Sequence, residues 1–190
     1  MRALDLAIVA LGTGSFVSAA DAATLPIASF ATGFAHPLGG VDHILAMVTV
    51  GVWGVVAGGR ALWAWPAVFV ATMLTGFAAA TLGVQLPWVP AAVSSSIIVL
   101  GLMVALAVKA PVWLGAVLVG LFAFFHGHAH GTEAVAASLI AYGAGFALAT
   151  AGLHAAGIGL ALAAAGSLGQ RALQAGGALT VLGGLALIGA

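Results

Sequence analysis

Apolar residues fill most of the chain between residues 41 and 189, and this pattern limits the fold more than any other feature. The chain has only four Lys and Arg and four Asp and Glu, so 4% of its 190 residues are charged. A soluble domain is about a quarter charged, and this chain has too few charges for a water-facing surface. Lipid is therefore the expected solvent, and the composition disfavours a soluble globule, a disordered chain or a nucleic-acid-binding protein.

Breaks at glycine, proline and polar residues divide this region into about six runs of about 20 residues, the length of a membrane-spanning helix. We expect an all-α polytopic transmembrane bundle with spans at residues 41–58, 61–83, 91–108, 112–130, 134–160 and 172–189. The fifth run is long for one span and is expected to be tilted or interrupted near Gly157 and Gly159. The glycines at small-xxx-small spacing predict close helix packing in lipid.

Residues 1–23 have the pattern of a secretory signal peptide. Arg2 precedes an apolar stretch, and Ala20-Asp21-Ala22 forms an A-x-A cleavage site. An uncleaved first span is the alternative. Residues 24–190 are expected to form a single transmembrane domain, and the lack of cysteine excludes disulfides and thiolate metal sites.

The basic residues predict the orientation of the bundle. Arg60, Lys109 and Arg171 lie between spans 1 and 2, 3 and 4, and 5 and 6, which places all three on one side. Basic loops favour the cytoplasmic side of a membrane. The mature N-terminus is therefore expected to face outward.

The first of two histidine motifs is HPLGGVDH at residues 36–43. A single helix that opens within this motif would place His36, His43 and Met47 on one stripe. Asp42 would lie beside them, near the helix N-terminus, where a carboxylate is favoured.

The second motif is HGHAHGTE at residues 126–133. On a continuous helix His126, His130 and Glu133 share a face, whereas His128 points roughly opposite. Unwinding at the neighbouring glycines is the alternative, and it would turn all three imidazoles toward a cavity.

The predicted topology brings both motifs to the outer face. Imidazole and carboxylate ligands without thiolate suit Ni(II), Co(II), Zn(II) or Cu(II). His154 stands alone in the fifth run, deeper toward the inner side, where it could act as a relay. Four of these residues also have a purely structural interpretation: His154 as a helix–helix hydrogen bond, Met47 as packing, His128 as a surface residue and Asp42 as a helix cap.

Three segments resemble signature segments of the HupE/UreJ family: HPLGGVDHILAM (36–47), FHGHAHGTE (125–133) and YGAGFALATAGLHAAGIGL (142–160). The resemblance covers residues 24–190. It implies a small polytopic bacterial membrane protein that acts as a secondary permease for nickel, in some members cobalt, and supplies hydrogenase or urease. With the orientation predicted above, we expect it in the inner membrane with a periplasmic mature N-terminus. It implies as metal-binding residues His36, Asp42, His43, His126, His130 and Glu133, with His128 as a further candidate.

The expected substrate is therefore a nickel or cobalt ion, with lipid as the surroundings, no prosthetic group, no nucleic-acid partner and no catalytic activity. Two other functions stay open. One is a non-transporting nickel-binding accessory protein for hydrogenase or urease maturation, and the other is a metal-dependent membrane hydrolase with Glu133 as general base. Assembly into a homo-oligomer also stays open.

Overall fold

The computed structural model describes residues 19–164 and 166–188, with side chains from residue 24 onward. Regular structure in these ranges is entirely helical, which confirms the predicted all-α class. The helices are α1 (Ala19–Gly39), α2 (Val41–Ala57), α3 (Ala61–Thr81), α4 (Val89–Ala105), α5 (Val112–Glu133), α6 (Leu139–Ala163) and α7 (Gly166–Ile188). Most of the predicted signal peptide, residues 1–18, lies outside the described residues.

Helices α2 to α7 correspond to the six predicted apolar runs, and the fifth run needs correction. Helix α6 begins at residue 139 instead of 134 and continues without a break past Gly157 and Gly159. A Cβ atom added at Gly157 would overlap the Val48 carbonyl of α2. This glycine therefore allows two backbones to approach each other and does not interrupt its helix.

Helix α1 was not predicted, because its sequence mixes apolar and polar residues and contains Pro26 and Pro37. Most of its described side chains are exposed. It packs along α6, and added Cβ atoms at Gly33 of α1 and Gly145 of α6 would each overlap a backbone carbonyl of the other helix. This contact positions the end of α1, which carries the first histidine motif.

Four of the described helices, α3, α5, α6 and α7, are long and apolar enough to cross a membrane. Helices α1 and α2 meet at 83° and would together form a fifth, broken span. Helix α4 is apolar but has only 17 residues. These helices indicate a multi-pass membrane protein with four to five candidate spans, and the count of six stays a prediction.

Glycines on both partners allow four helix pairs to pack closely: α1 with α6, α2 with α6, α3 with α5 and α4 with α7. The facing glycines are Gly33 and Gly145, Gly51 and Gly157, Gly76 and Gly127, and Gly101 and Gly177. An added Cβ atom at each would overlap the backbone of the partner helix. Small residues drive helix association in lipid because they let backbones approach, so the glycines serve the packing role that their spacing predicts.

The bundle has two chemically different ends. The starts of α2 and α4 and the end of α5 surround one cavity, which is lined by His43 and Glu133. The ends of α2, α4 and α6 surround another cavity, which is lined by Lys109. Near this second end, the indole of Trp53 donates a hydrogen bond of 2.9 Å to the Val108 carbonyl. The histidine motifs and the basic loops are therefore separated along the bundle.

The packing role of the glycines can be tested with matched alanine variants. Gly127→Ala places a methyl group against the Met73 carbonyl, whereas an added Cβ at Gly152 or Gly176 has no neighbour within 4 Å. We expect Gly127→Ala to destabilise the protein by about 1–3 kcal/mol, since overpacking costs about that much. Gly152→Ala and Gly176→Ala should match the wild type. Thermal unfolding of the purified protein in detergent measures the difference, and equal melting temperatures for all three variants would contradict this account.

Candidate metal centre

The first histidine motif spans a break between two helices. Gly40 separates α1 from α2 and has extended backbone angles (φ −106°, ψ 122°). The predicted continuous stripe through His36, His43 and Met47 is therefore wrong. Glycine favours a break in a helix, because it loses more conformational freedom than any other residue when it is held in helical geometry. As a result, His36 lies in the last turn of α1 and Asp42 in the first turn of α2, so the two residues approach the site from different directions.

The second motif lies on one continuous helix, so the unwound alternative does not occur. His126 and His130 are fully buried on the inner face of α5. His128 points elsewhere, and its Nε2 lies 2.7 Å from the Val84 carbonyl in the loop after α3. It is only 3% exposed, which makes its interpretation as a surface residue wrong. Gly127 lies against the α3 backbone and keeps α5 in place.

Five side chains from the two motifs converge at one end of the bundle. We call this group the His–carboxylate cluster, and its members are His36, Asp42, His43, His130 and Glu133. The ring centroids of His36 and His130 lie 4.7 Å apart, and those of His43 and His130 lie 4.2 Å apart. The Nε2 of His36 is 3.4 Å from a carboxylate oxygen of Glu133. Residues far apart in sequence therefore share one site.

Three members of the cluster lie close to the spacing that a metal ion requires. One ligand atom each from His36, His130 and Glu133 all lie within 4.8 Å of one another. Bonds from nitrogen or oxygen to a divalent transition metal are about 2.0–2.2 Å long, so two ligands of one ion are separated by roughly 4 Å or less. A single ion would require these atoms to move slightly closer together. A cavity of about 830 Å³, lined by His36, Asp42, His43 and Glu133, connects the cluster to the outside.

The hydrogen bonds of the cluster leave imidazole nitrogen atoms free for a ligand. The Nδ1 of His43 donates to a carboxylate oxygen of Asp42 at 2.8 Å. A carboxylate behind a histidine fixes the ring and raises the basicity of the opposite nitrogen, as is common in metal sites. Among the described residues, His43 Nε2 and both ring nitrogens of His130 are buried without a hydrogen-bond partner. Such atoms cost about 1–3 kcal/mol each, and a bound cation would supply the missing partner.

The remaining predicted residues lie deeper in the bundle. The His126 ring is 5.4 Å from that of His43. His154 donates from Nδ1 to the Met47 carbonyl at 2.7 Å, which is the helix–helix hydrogen bond of its structural interpretation. Met47 itself is fully buried in the core. These three residues therefore extend inward from the cluster.

Aromatic residues next to the histidines were missed in the sequence, and they include Phe146 of α6, whose ring lies 4.1 Å from that of His130. Phe69 and Tyr142 are two others. The Phe69 ring of α3 lies 5.7 Å from His126 and 4.9 Å from His154. The Tyr142 ring of α6 lies 6.0 Å from that of His36. Both are buried. Phe69 belongs to no motif and Tyr142 opens the third family-like segment, but no local signal distinguishes either residue from aromatic residues that only pack.

A family model described as HupE / UreJ protein matches residues 8–187. The chain belongs to the HupE/UreJ family. Protein HupE of Rhizobium leguminosarum bv. viciae is 45% identical over 159 residues, which cover 83% of this chain and 83% of that protein. No solved structure matches the chain.

These matches confirm the family to which the histidine motifs pointed. The HupE/UreJ family is linked to nickel and cobalt uptake or to accessory roles with these metals. It is not known as a family of enzymes. This chain is therefore a multi-pass membrane protein of a family that is linked to nickel and cobalt.

Gly40 offers a test of how the cluster is positioned. A Cβ added there would lie 2.6 Å from Asp42 Oδ1 and 2.7 Å from His43 Nδ1, so Gly40→Ala must displace this pair. We expect nickel affinity to fall about 10–100-fold, as is typical when a group that orients a metal ligand is disturbed. Gly39→Ala is the matched control, since an added Cβ at Gly39 has no neighbour within 4 Å. Equilibrium binding of Ni(II) to the purified proteins checks this, and equal affinities would count against a positioned Asp42–His43 pair.

Proposed function

We propose that this HupE/UreJ protein is a secondary permease that carries nickel ions across the bacterial inner membrane into the cytoplasm, with cobalt as the second candidate substrate. The observation that supports this most is the convergence of the His–carboxylate cluster on an open cavity at one end of a membrane-spanning bundle. The family adds independent support, because its members are linked to these metals.

The ligand set suits a divalent metal ion of intermediate softness. Imidazole nitrogen favours Ni(II), Co(II), Cu(II) and Zn(II), and carboxylate oxygen adds negative charge. In the proposed capture step His36, His130 and Glu133 bind the ion directly. His43 supplies its free Nε2 while Asp42 orients the ring. The two carboxylates also balance the charge of a divalent ion as it loses its hydration water.

The distribution of charge supports inward transport. Arg60 and Lys109 lie in the loops at the end of the bundle opposite the cluster, and Arg171 lies near the start of α7. Basic loops favour the cytoplasm, which would place the cluster and the N-terminal side of the domain toward the periplasm. A divalent ion that crosses the whole membrane potential gains about 4.6 kcal/mol per 100 mV, twice the value for one charge. This energy is enough to bias uptake inward.

An uptake assay tests the permease directly. In cells that lack other nickel importers, the wild type should accumulate radioactive nickel. We expect His36→Ala, Asp42→Ala and His43→Ala to lose at least about 90% of this accumulation at equal membrane abundance, since loss of a ligand or its orienting group costs about tenfold or more. Excess cobalt should inhibit uptake if it shares the site.

His128→Gln is the control from the same motif. Glutamine can keep the hydrogen bond that His128 Nε2 makes with the Val84 carbonyl, and uptake should stay at the wild-type level. A wild type that binds nickel without accumulating it would overturn the permease and support the accessory function instead.

A further inference from the structure

A cleft separates helices α6 and α7, although they follow each other in the chain. Helix α6 packs along α1 and α2, whereas α7 packs along α4. Consecutive helices usually lie next to each other, yet α6 and α7 have hardly any contact. Leu160 of α6, at the edge of the cleft, is 60% exposed. The cleft therefore opens toward the surrounding membrane.

An apolar cavity of about 300 Å³ lies in this cleft. A Cβ atom added at Gly176 of α7 would have no neighbour within 4 Å, so space is open there. The hydroxyl of Thr180 also lines the cavity, but it donates to the Gly176 carbonyl at 3.0 Å and needs no partner from an occupant. The aliphatic side chains of the wall are those of Val48, Val52, Val104, Leu160 and Leu173. Such a wall suits a hydrocarbon chain.

A second cavity, of about 590 Å³, adjoins the first at the basic end of the bundle. Val104 and Leu173 line both cavities, which places the two next to each other. The polar side chains of the second cavity are those of Lys109, Ser167, Gln170 and Gln174. The apolar cavity therefore leads into a polar one.

The polar cavity favours an anion. Lys109 is the only charged residue among the described residues that line the two cavities. Within the described part of the chain it makes no ion pair, because the two described carboxylates, Asp42 and Glu133, belong to the His–carboxylate cluster at the other end. An ammonium group without a counter-ion, next to hydroxyl and amide groups, suits a phosphate.

The two cavities together have the reach of one lipid leaflet. Ser167 lines the polar cavity and Thr180 lines the apolar one. Helix α7 rises about 20 Å between these two residues. One leaflet contributes about 15 Å of hydrocarbon, half of the bilayer core, and its headgroup layer lies beyond. The order of the cavities, polar at the basic end and apolar toward the middle, is that of a phospholipid.

We propose that the two cavities form a binding site for an anionic phospholipid. Its acyl chain lies between α6 and α7, and its phosphate contacts Lys109. The lipid belongs to the leaflet next to the basic loops, which the proposed orientation makes the cytoplasmic one. Basic pockets between membrane helices on this side bind anionic headgroups. The lipid would connect two helices that hardly contact each other, and its binding does not depend on the permease function.

Removal of the lysine charge tests recognition of the headgroup. Native mass spectrometry of the full-length protein in detergent, titrated with dioleoyl-phosphatidylglycerol or dioleoyl-phosphatidylcholine, counts the lipids that each chain retains. We expect the wild type to retain one phosphatidylglycerol with about fivefold higher affinity than phosphatidylcholine, since one basic residue near an anionic surface contributes about that much. Lys109→Gln should lose this preference.

Arg60→Gln is the matched charge control. Arg60 lies at the same end of the bundle, but its guanidinium is placed over the Trp63 ring at 5.7 Å and it lines neither cavity. This variant should keep the wild-type preference. Equal retention of both lipids by the wild type, or an unchanged preference in Lys109→Gln, would overturn the site.

A side chain placed in the apolar cavity tests the position of the acyl chain. Gly176→Leu should lower the affinity for phosphatidylglycerol about tenfold or more, because it displaces methylene groups from apolar contact. Gly152→Leu is the control, since an added Cβ there also has no neighbour within 4 Å and Gly152 lines neither cavity. Thermal unfolding without lipid checks that both variants fold. A folded Gly176→Leu variant that binds the lipid like the wild type would overturn the site.

Two further measurements distinguish a phospholipid from other occupants. Glycerol 1-phosphate, which has a phosphate but no acyl chain, should leave the bound lipid in place at millimolar concentration. Displacement by this compound would show a site for free phosphate and overturn the proposal. A lipid-free dimer that Gly176→Leu abolishes would show that a second copy of the chain fills the cleft, and it would overturn the proposal as well.

Discussion

Close backbone contact between paired helices is the interaction on which the candidate metal centre depends. Lipid tails are as apolar as the helices, so the hydrophobic effect does not press membrane helices together, and packing must do so. Gly76 and Gly127 let α3 and α5 approach until backbone meets backbone. This approach brings Phe69 of α3 against His126 of α5. The chemistry of the histidines is thus supported by residues that carry no functional group.

The sequence allowed the helical class and most of the helix positions to be predicted, because long apolar runs in a chain with few charges leave little alternative. It did not reveal α1, since a mixed sequence with two prolines has no clear apolar periodicity. The break at Gly40 was also missed. A glycine permits both a helix and an extended backbone, and here the packing of α1 and α2 against α6 decides between them.

Much of the candidate site could be predicted from the topology of the helices. Alternating helices place both histidine motifs at one end, and the structure brings His36, His43 and His130 together there. The direction of individual side chains was harder to predict. His128 turns toward the loop after α3, where its Nε2 lies near the Val84 carbonyl, and Phe69 approaches from a helix without any motif. Both depend on contacts between segments distant in sequence, for which a single sequence carries no signal.

Helix α6 supports both halves of the first histidine motif, since α1 and α2 each pack against it. With 25 residues, it is about 37 Å long and exceeds the roughly 30 Å hydrocarbon core of a bilayer, so it must tilt or extend beyond that core. The thickness of the bilayer influences such a tilt. Because α1 and α2 both pack against α6, the segments that carry His36 and His43 share the orientation of this one helix in the bilayer.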